Sequence, residues 1–430
     1  REFIQKRHKG QENFKFEDIP LDDWPTYKLF QEGKTEAVFQ FESRGMQGML
    51  KEAKPSRLED LIALNALYRP GPMDLIPSFV ARKHGTEVIE YPHPLVEKVL
   101  AETYGIMVYQ EQVMQTAQVL GGYSLGGADL LRRAMGKKKP EEMAQHRLLF
   151  REGAGKQGIP PEKADEVFDL MEKFAGYGFN KSHAAAYSLL AYHTAWIKVH
   201  YTAEFFCGNM TVEMDNTDKL KVLHEDALKM GLTFEPPDVN RGGYRFEPVT
   251  DKVIRYGLGA IKGSGQAAIE AIIAARNGQG PGPQGHVQGP FKSLWDFCTR
   301  VDRAKLNKRT LEALIKAGAF DSIERNRAAL MAATDAAFEF ANAQWANAHQ
   351  GGLFDMMGDD AQGASSQAPE LPQTLPWGIK ERLMQEKTAV GFYLSGHLFD
   401  EVESEVRQFI RTPLADLADS REPQLLAGIV

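Results

Sequence analysis

Residues 175–189 read AGYGFNKSHAAAYSL, and the interpretation of the first half of the chain depends on this stretch. A loop with two glycines leads to Asn180, Lys181, Ser182 and His183, at the expected first turn of a helix. Backbone N–H groups in a first helical turn lack partners, and the helix dipole is positive there, so such a turn suits an anion. The stretch therefore predicts an anion-binding helix start to which Lys181 adds charge.

A simpler interpretation of the same stretch is a capped helix with a buried face. Ser182 would be its cap, and His183 would be an ordinary polar residue. The inward face would then consist of Tyr187, Leu190, Thr194, Ile197 and Tyr201. These residues alone leave both interpretations open.

Composition limits the class of protein. A length of 430 residues suggests about three domains, and a net charge of −7 means that any nucleic-acid site has to be a local basic patch. Cys207 and Cys298 are the two cysteines and lack metal-ligand spacing, which fits a reducing cytoplasm and argues against a zinc site. No apolar run reaches about 18 residues, so we expect a cytoplasmic protein without a membrane segment.

Patterning predicts a mainly helical chain with several domains. Residues 39–214 are mostly helical in pattern, with one helix starting at a cap on Ser56 and another between Asn216 and Gly231. Residues 244–258 predict a β-hairpin that turns near 250–252, and the Gly/Pro-rich residues 276–290 predict an exposed loop. The chain begins without methionine and ends in QLLAGIV, which resembles the start of a strand, so we expect a piece of a larger protein.

A second cationic segment is GGADLLRRAMGKKKPEEM at 126–143. Its helix has Ala128, Leu131 and Met135 on the buried side and ends near Gly136. Five cations follow one another closely, namely Arg132, Arg133, Lys137, Lys138 and Lys139. Guanidinium groups bind phosphate oxygens bidentately, although a solvated helix that ends in lysines is the plainer alternative. Two anion-suited segments in one helical region favour a shared polyphosphate ligand.

The segment GLGAIKGSGQAAIEAIIAAR at 257–276 predicts a helix-hairpin-helix. Gly263, Ser264 and Gly265 stand between an apolar turn and an alanine-rich helix, and Lys262 adds a charge. Glycines let the backbone approach DNA closely, and N–H groups at the helix start can hold a phosphate. The alternative is a tight turn without a ligand. Gly318 in LIKAGAFDSI could mark a second, degenerate copy.

The low-complexity residues 346–378 predict a flexible linker that contains QGGLF at 350–354. Leu353 and Phe354 are apolar where nothing nearby in sequence would bury them, and burying each would contribute about 1.5–3 kcal/mol. A partner's pocket could take both, with Gln350 adding a hydrogen bond. Packing of the pair on its own domain is the alternative.

Some chemistry is missing from the sequence. GAGKQG lacks the Ser/Thr and the upstream glycine of a phosphate loop, and no Asp-x-Asp occurs. Two-metal phosphoryl transfer requires clustered carboxylates. We therefore expect no catalytic residue and no metal ligand in this chain.

Five motifs together resemble the C family of bacterial replicative DNA polymerases, in its catalytic α subunit. They are AVFQFESRGM, YRPGPMD, YGIMVYQEQVMQ, GGYSLGGADLLRRAMGKKKPEEM and EKFAGYGFNKSHAAAYSLLAYHTAWIKVHYTAEF. The resemblance covers nearly the whole chain. It implies a mainly α, multi-domain fold, in which a helical fingers domain precedes an α+β domain with a helix-hairpin-helix and the first strand of an OB-fold.

The resemblance also implies domain boundaries. The fingers would occupy 1–214, facing nucleotide and template, and the helix-hairpin-helix part of a clamp-binding domain would occupy 215–345. A linker with the clamp-binding peptide would follow at 346–378, the remainder of that domain at 379–420, and the start of an OB-fold at 421–430. The palm, thumb and PHP domains would lie outside this chain.

The roles that the resemblance implies are residue-specific. Binding of the incoming dNTP would fall to Arg132, Arg133, Lys137, Asn180, Lys181, His183 and, less directly, Arg69. DNA binding would fall to Lys262, Gly263, Ser264 and Gly265, and binding of the sliding clamp (the β subunit) to Gln350, Leu353 and Phe354. Primer-template DNA and other subunits of the replicative holoenzyme are further expected partners.

The implied reaction is template-directed DNA synthesis by the whole subunit, a nucleotidyltransferase. Mg²⁺ would be held by palm carboxylates elsewhere in that subunit, so we expect this chain alone to be inactive. The competing interpretation is a non-catalytic DNA-binding and clamp-adaptor scaffold.

Overall fold

The computed structural model describes residues 1–137, 140–354, 368–410, 412–417, 419–420 and 422–429, with backbone alone for 349–354 and 415. The described chain is mainly α-helical, as predicted, and forms two compact units, Arg1–Tyr201 and Thr202–Val430. The division falls before the helix Thr202–Val212 rather than after residue 214. That helix therefore belongs to the second unit.

The regular secondary structure of the first unit is helical over its described residues, apart from an isolated bridge between Tyr109 and Phe179. Its helices are α1 (Glu2–Arg7), α2 (Trp24–Gln31), α3 (Arg44–Ala53), α4 (Leu58–Leu67), α5 (Ile76–Lys83), α6 (Glu97–Leu100), α7 (Gln110–Gly121), α8 (Leu125–Lys137), α9 (Pro140–Gly155), α10 (Pro161–Ala175) and α11 (Lys181–His200).

The core of the first unit contains two helical layers. Helices α7, α8, α9 and α10 pack around Leu131, Phe150 and Phe168, all without exposed surface. Leu131 lies with Ala128 and Met135 on the predicted buried side of α8, and that prediction is confirmed.

Helix α11 packs against α2 and α4 with a face that the sequence did not indicate. Its buried residues include Ala184, Ala191 and Ala195, which let the helices approach closely. The predicted inward face is wrong, because Tyr187 is 37% exposed and Leu190 is 50% exposed.

The second unit combines helices with a small sheet. It contains α12 (Thr202–Val212), α13 (Thr217–Lys229), β1 (Thr233–Glu235), β2 (Glu247–Pro248), β3 (Val253–Arg255), α14 (Gln266–Arg276), α15 (Leu294–Arg300), α16 (Lys308–Lys316), α17 (Arg327–Ala332), α18 (Thr334–Phe354), α19 (Ile379–Val390) and α20 (Glu403–Phe409). The antiparallel pair β2–β3 confirms the predicted hairpin. The sheet order is β1-β3-β2, with β1 parallel to β3, a pairing that local patterning could not predict.

The caps predicted for two helices have different outcomes in the structure. Helix α13 is capped by Asn216, whose side chain accepts from Lys219 N at 3.1 Å, and Gly231 follows its end with φ of 83°. Both were predicted. Ser56 does not cap α4. Its own N–H donates to the Asp60 carboxylate at 3.0 Å, and α4 begins after Arg57 without a side-chain cap.

Arg300 holds the Gly/Pro-rich loop against the second unit. The arginine is buried, and its guanidinium donates to the carbonyls of Ala275, Val287 and Gly289 at 2.7–3.0 Å. Many loop residues are exposed, as predicted, but these bonds fix the backbone of the loop. The carbonyls satisfy Nη2 of the buried guanidinium, while its Nε atom has no hydrogen-bond partner among the described residues.

Two predicted segments differ from the structure. Helix α18 continues to Phe354, so the backbone of 346–354 is helical where a linker was predicted, while 355–367 lie outside the described residues. Residues 422–429 form no strand. A strand needs a hydrogen-bonded neighbour, and the described chain pairs no segment with these residues.

Length and hydropathy of the described helices do not suffice for any of them to cross a membrane.

His224 is a titratable group enclosed by aromatic rings. Its imidazole lies 4.4 Å from the ring of Phe234 and 5.1 Å from that of Phe392, between centroids. Burial lowers the pKa of His224 to about 4, because the charged form would lose its hydration.

This burial predicts that acid destabilises the protein through His224. The pKa is lower in the folded than in the unfolded protein, so the stability is complete above pH about 6.5 and falls as the pH drops toward 4, by up to about 3 kcal/mol. Urea unfolding at pH 5 to 8 should therefore show a steeper pH dependence for the natural protein than for His224→Phe. The exposed His286 provides the control, since His286→Gln should keep the natural slope. Equal slopes for all three proteins would contradict the prediction.

Candidate phosphate-binding site

Asn180 caps α11 and Ser182 does not. The Asn180 Oδ1 atom accepts a hydrogen bond from His183 N at 2.8 Å, and the Asn180 backbone is extended, as it usually is at this position. Ser182 is exposed one residue inside the helix. The helix start is therefore capped, but by a different residue from the one expected.

Two glutamates take up polar donors at the start of α11. Glu111 accepts from Lys181 N at 3.0 Å and from the Asn180 side-chain amide at 2.9 Å. Glu102 Oε2 lies 2.7 Å from Lys181 Nζ. The anion that the sequence predicted at this turn is thus supplied by the chain itself. Glu102 precedes the motif YGIMVYQEQVMQ and Glu111 lies within it. Neither contact was predicted from the sequence.

The Lys181 ammonium also lies over a buried aromatic ring. Its Nζ is 5.4 Å from the centroid of Tyr109, which has no exposed surface. Burial raises the pKa of Tyr109, so the phenol stays neutral. The Tyr109 hydroxyl and Glu102 Oε1 are buried, and neither has a hydrogen-bond partner in the described part of the chain. The charge of Lys181 therefore lies next to side-chain atoms that are shielded from water.

The two arginines of α8 converge on one carboxylate. Arg132 donates to Asp129 Oδ1 at 2.7 Å, and Arg133 Nε lies 2.8 Å from Asp129 Oδ2. Arg132 is the more buried of the two, and Arg133 has 63% of its side chain exposed. Neighbouring helical residues point about 100° apart, so a shared acceptor is what brings these guanidinium groups together.

Gln110 connects the arginine segment to the start of α11. Arg132 Nη1 donates to Gln110 Oε1 at 3.3 Å, and Gln110 Nε2 donates to the Gly178 carbonyl at 3.1 Å. The backbone N–H of Gln110 donates to Phe179 O at 2.9 Å. Gly178 makes this approach possible, since a Cβ there would lie 3.1 Å from Gln110 Cγ. Two segments almost 50 residues apart thus meet at the first residue of α7.

Arg69 stabilises the loop before α11. Its guanidinium donates to the Tyr177 carbonyl and to Ala66 O, and it stacks 4.8 Å from the Phe179 ring. Partial burial lowers the pKa of Arg69, which remains charged at neutral pH. Gly71, with φ of 101°, leaves room for the Tyr177 ring. Arg69 is thus a neighbour of the candidate site, with two of its guanidinium nitrogens engaged by the backbone.

The remaining two candidates of the first unit are exposed. His183 lies between the rings of Phe179 and Tyr187, with centroids 5.5 and 4.3 Å away. Lys137 is exposed in the last turn of α8, and Lys138 and Lys139 lie outside the described residues. Gln110 thus joins Arg132 to the loop that immediately precedes Asn180 and Lys181, and Arg69 and His183 both lie against the Phe179 ring of that loop.

A cavity of about 750 Å³ in the same unit is separate from these residues. It is lined by Arg82, Lys163 and Phe174, among others, and by none of the seven candidates. Arg82 is engaged by Glu87 at 2.7 Å and Lys163 by Glu166 at 2.9 Å. None of the seven candidates lines this cavity, so we do not assign the phosphate site to it.

The second unit has the predicted glycine hairpin. Gly263 and Gly265 have φ of 81° and 67°, values that other residues rarely adopt, and α14 begins directly after Gly265. Lys262 is exposed. The Ser264 side chain is buried and donates to the carbonyls of Leu258 and Ile261, so it stabilises the turn and is not available to a ligand. Gly318 instead ends α16, where the Ala319 N–H donates to Leu314 O.

The clamp-binding candidates lie at the end of α18. The backbone of Gln350, Leu353 and Phe354 is helical, and their side chains are outside the described part of the structure. Their assignment remains a prediction.

Comparisons with known proteins identify the two regions. Residues 2–158 match the finger domain of the bacterial DNA polymerase III alpha subunit, and residues 231–330 match a helix-hairpin-helix motif. A helical finger region followed by a helix-hairpin-helix motif defines the class as a part of a bacterial DNA polymerase.

Similar proteins agree over almost the whole chain. DNA polymerase III subunit alpha of Neisseria meningitidis serogroup B is 57% identical over 412 residues, covering 96% of this chain and 35% of that protein. The subunits of Xylella fastidiosa (strain Temecula1) and Pseudomonas aeruginosa are 52% and 48% identical, covering 91% and 99% of this chain and 32% and 37% of theirs. The chain belongs to the family of DNA polymerase III alpha subunits and spans about a third of their length. The resemblance predicted from its motifs is confirmed.

Proposed function

We propose that this chain is the part of a replicative DNA-directed DNA polymerase that binds the incoming nucleotide, the DNA duplex and the sliding clamp. The observation that carries the proposal is the junction at Gln110, which joins Arg132 to the loop that precedes Lys181. Arg132 and the loop before Lys181, which are distant in sequence, are held together there, as binding of one triphosphate by both segments would require.

The residues at this junction suit phosphate oxygens. Arg132 and Arg133 offer planar donor pairs, Lys181 offers a compact charge, and Asn180 offers an amide. In the proposed role they hold the β- and γ-phosphates and align the nucleotide, so they contribute position and charge rather than bond making.

The bond-making groups lie elsewhere in this proposal. In the whole subunit, palm carboxylates with Mg²⁺ would act on the primer 3′-hydroxyl and the α-phosphate, as the family resemblance implies. No residue of this chain is assigned to Mg²⁺, and we expect the chain alone neither to extend a primer nor to hydrolyse nucleotides.

The carboxylates at the site compete with the proposed ligand. Glu102 pairs with Lys181, and Asp129 pairs with both arginines of α8. Phosphate oxygens would have to displace these acids from the same donors. These pairs are only partly exposed, so the exchange depends on the greater negative charge of a triphosphate, whose oxygens can accept from several of these donors at once.

The second unit supplies the DNA and clamp contacts in this proposal. The exposed backbone of Gly263 and Gly265 and the charge of Lys262 would hold duplex phosphates without reading sequence. Gln350, Leu353 and Phe354 would bind the clamp, and other holoenzyme subunits would bind outside these residues.

A non-catalytic adaptor is the second candidate function. It is favoured by the acid partners of Arg132 and Lys181, because a purely structural role would leave the same ion pairs. It predicts that DNA and clamp binding persist while these cations are dispensable.

The first prediction separates the two functions by kinetics of the full-length subunit. Lys181→Ala and Arg132→Ala each remove a charged donor worth about 1.5–3 kcal/mol, so we expect roughly a 10- to 100-fold loss in kcat/KM for deoxynucleotides. Affinity for primed DNA should be unchanged. Lys156→Ala, an exposed cation at the end of α9, is the matched control. Natural kinetics in both variants would remove the phosphate assignment and favour the adaptor.

The second prediction concerns whether removing the charge of Glu102 raises or lowers the KM for deoxynucleotides. Glu102→Gln keeps the size of the side chain and removes the competing charge, so the KM for deoxynucleotides should fall about 1.5- to 5-fold. Arg57 still finds its acceptor, since it bonds the backbone carbonyl of Glu102. A rise in KM, as expected for Lys181→Ala, would mean that Glu102 positions the lysine and does not compete for it.

The third prediction tests the clamp peptide in the full-length subunit. Replacing Leu353 and Phe354 together by alanine should weaken clamp binding by at least about 10-fold, because two buried apolar side chains contribute about 1.5–3 kcal/mol each. Leu375→Ala, at a leucine that is 90% exposed, is the control in the same region. Unchanged affinity in the double variant, measured by titration with the clamp, would mean that the pair serves local packing.

A further inference from the structure

A basic segment of the second unit lies outside the motifs considered so far. Residues 303–309 read RAKLNKR and contain four cations in seven positions, although the whole chain has a net charge of −7. They form the turn before α16 and its first residues. Such a local concentration of charge is typical of a surface that binds an anionic polymer.

This segment lies directly beside the glycine hairpin. Thr310 Oγ1 donates to the Gly263 carbonyl at 3.1 Å. Arg309 Nε is 3.5 Å from the place where a Cβ on Gly263 would stand. The cap residue Asn307 accepts from Thr310 N at 2.9 Å, which fixes the start of α16 in this position. The hairpin tip and the start of α16 therefore form one continuous surface.

Three of the four cations are available on this surface. Arg303 is used within the unit, where it lies over the Trp345 ring and donates to Asn342 Oδ1 at 3.3 Å. Lys305 and Arg309 are exposed. Lys308 is exposed as well.

The ion pair that Lys308 forms at this surface is itself open to solvent. Lys308 lies 2.6 Å from Asp335, and both side chains are more than half exposed. This contact raises the pKa of Lys308, which stays charged at neutral pH. An ion pair so exposed contributes little and exchanges readily for another anion.

The apolar side of the same segment fixes which cations face outward. Leu306 and Leu311 are buried, on either side of the exposed Lys308 and Arg309. The backbone that carries these cations is therefore anchored to the packed core of the second unit.

We propose that Lys305, Lys308 and Arg309 form a second contact with the sugar–phosphate backbone of duplex DNA, next to the hairpin. The inference rests on the proposed DNA-binding role of Gly263 and Gly265. Glycine at the tip lets a backbone approach closely, and the neighbouring cations then face the next phosphates along the duplex. The contact is independent of sequence and releases counterions from the DNA.

The test measures affinity of the full-length protein for a fixed-sequence duplex oligonucleotide as a function of salt. Arg309→Ala and Lys305→Ala should each weaken binding about 3- to 10-fold and lower the slope of log K against log salt by about 1. Arg309→Lys keeps the charge and should keep the slope. Lys252→Ala, at the β2–β3 turn, is the control and should bind like the natural protein.

A parallel variant at the hairpin, Lys262→Ala, separates this inference from the proposal on which it rests. If Lys262→Ala weakens binding and neither Arg309→Ala nor Lys305→Ala does, the second contact is wrong and the hairpin contact stands. If none of the three weakens binding, both are wrong. A loss of affinity in Arg309→Ala with an unchanged salt slope would also overturn the inference, because it would indicate a change of hairpin structure and not a lost phosphate contact.

Discussion

The hydrogen bonds of Gln110 are the interaction on which the candidate site depends. One neutral amide accepts from Arg132 and donates to the carbonyl of Gly178. A cationic side chain in its place would repel Arg132, and an anionic one would form an ion pair with it and neutralise its charge. The amide instead joins α8 to the loop before α11 while it leaves the cationic groups charged. It also fixes where α11 begins, since Phe179 accepts from the backbone of the same residue.

Electrostatic balance at this junction follows from its position on a half-buried surface. Lys181 lies over the buried Tyr109, where an unpaired charge would be costly. Glu102 supplies the opposite charge, and Asp129 does the same for the arginines. The cations of the proposed phosphate site are thereby balanced without a ligand, and a triphosphate would have to take the place of these carboxylates. We expect this competition to limit affinity, which would suit the proposed binding and release of a nucleotide in every cycle.

The sequence was informative where local chemistry decides structure and uninformative where tertiary packing decides it. The cap of α13 and the glycine hairpin at 263–265 were predictable, because an Asn cap and a positive φ each require particular residues. The buried face of α11 was not, because that helix is apolar on several sides and alanines, not the larger Tyr187, meet the neighbouring helices. The two cationic segments of the site were recognisable by composition. Their acid partners Glu102 and Glu111 were not, since contacts over about 70 residues leave no local pattern.

The starts of α11 and α14 differ in a way that separates the two proposed ligands. Asn180 and Glu111 already engage N–H groups at the start of α11, so a ligand there gains affinity only by competing. Gly265 precedes α14 and has no side chain with which to cap it. No side chain caps that turn among the described residues, so a phosphate there would displace no acid. A phosphate at the start of α11 would instead have to compete with Glu111, so the two proposed contacts differ in what their ligands must displace.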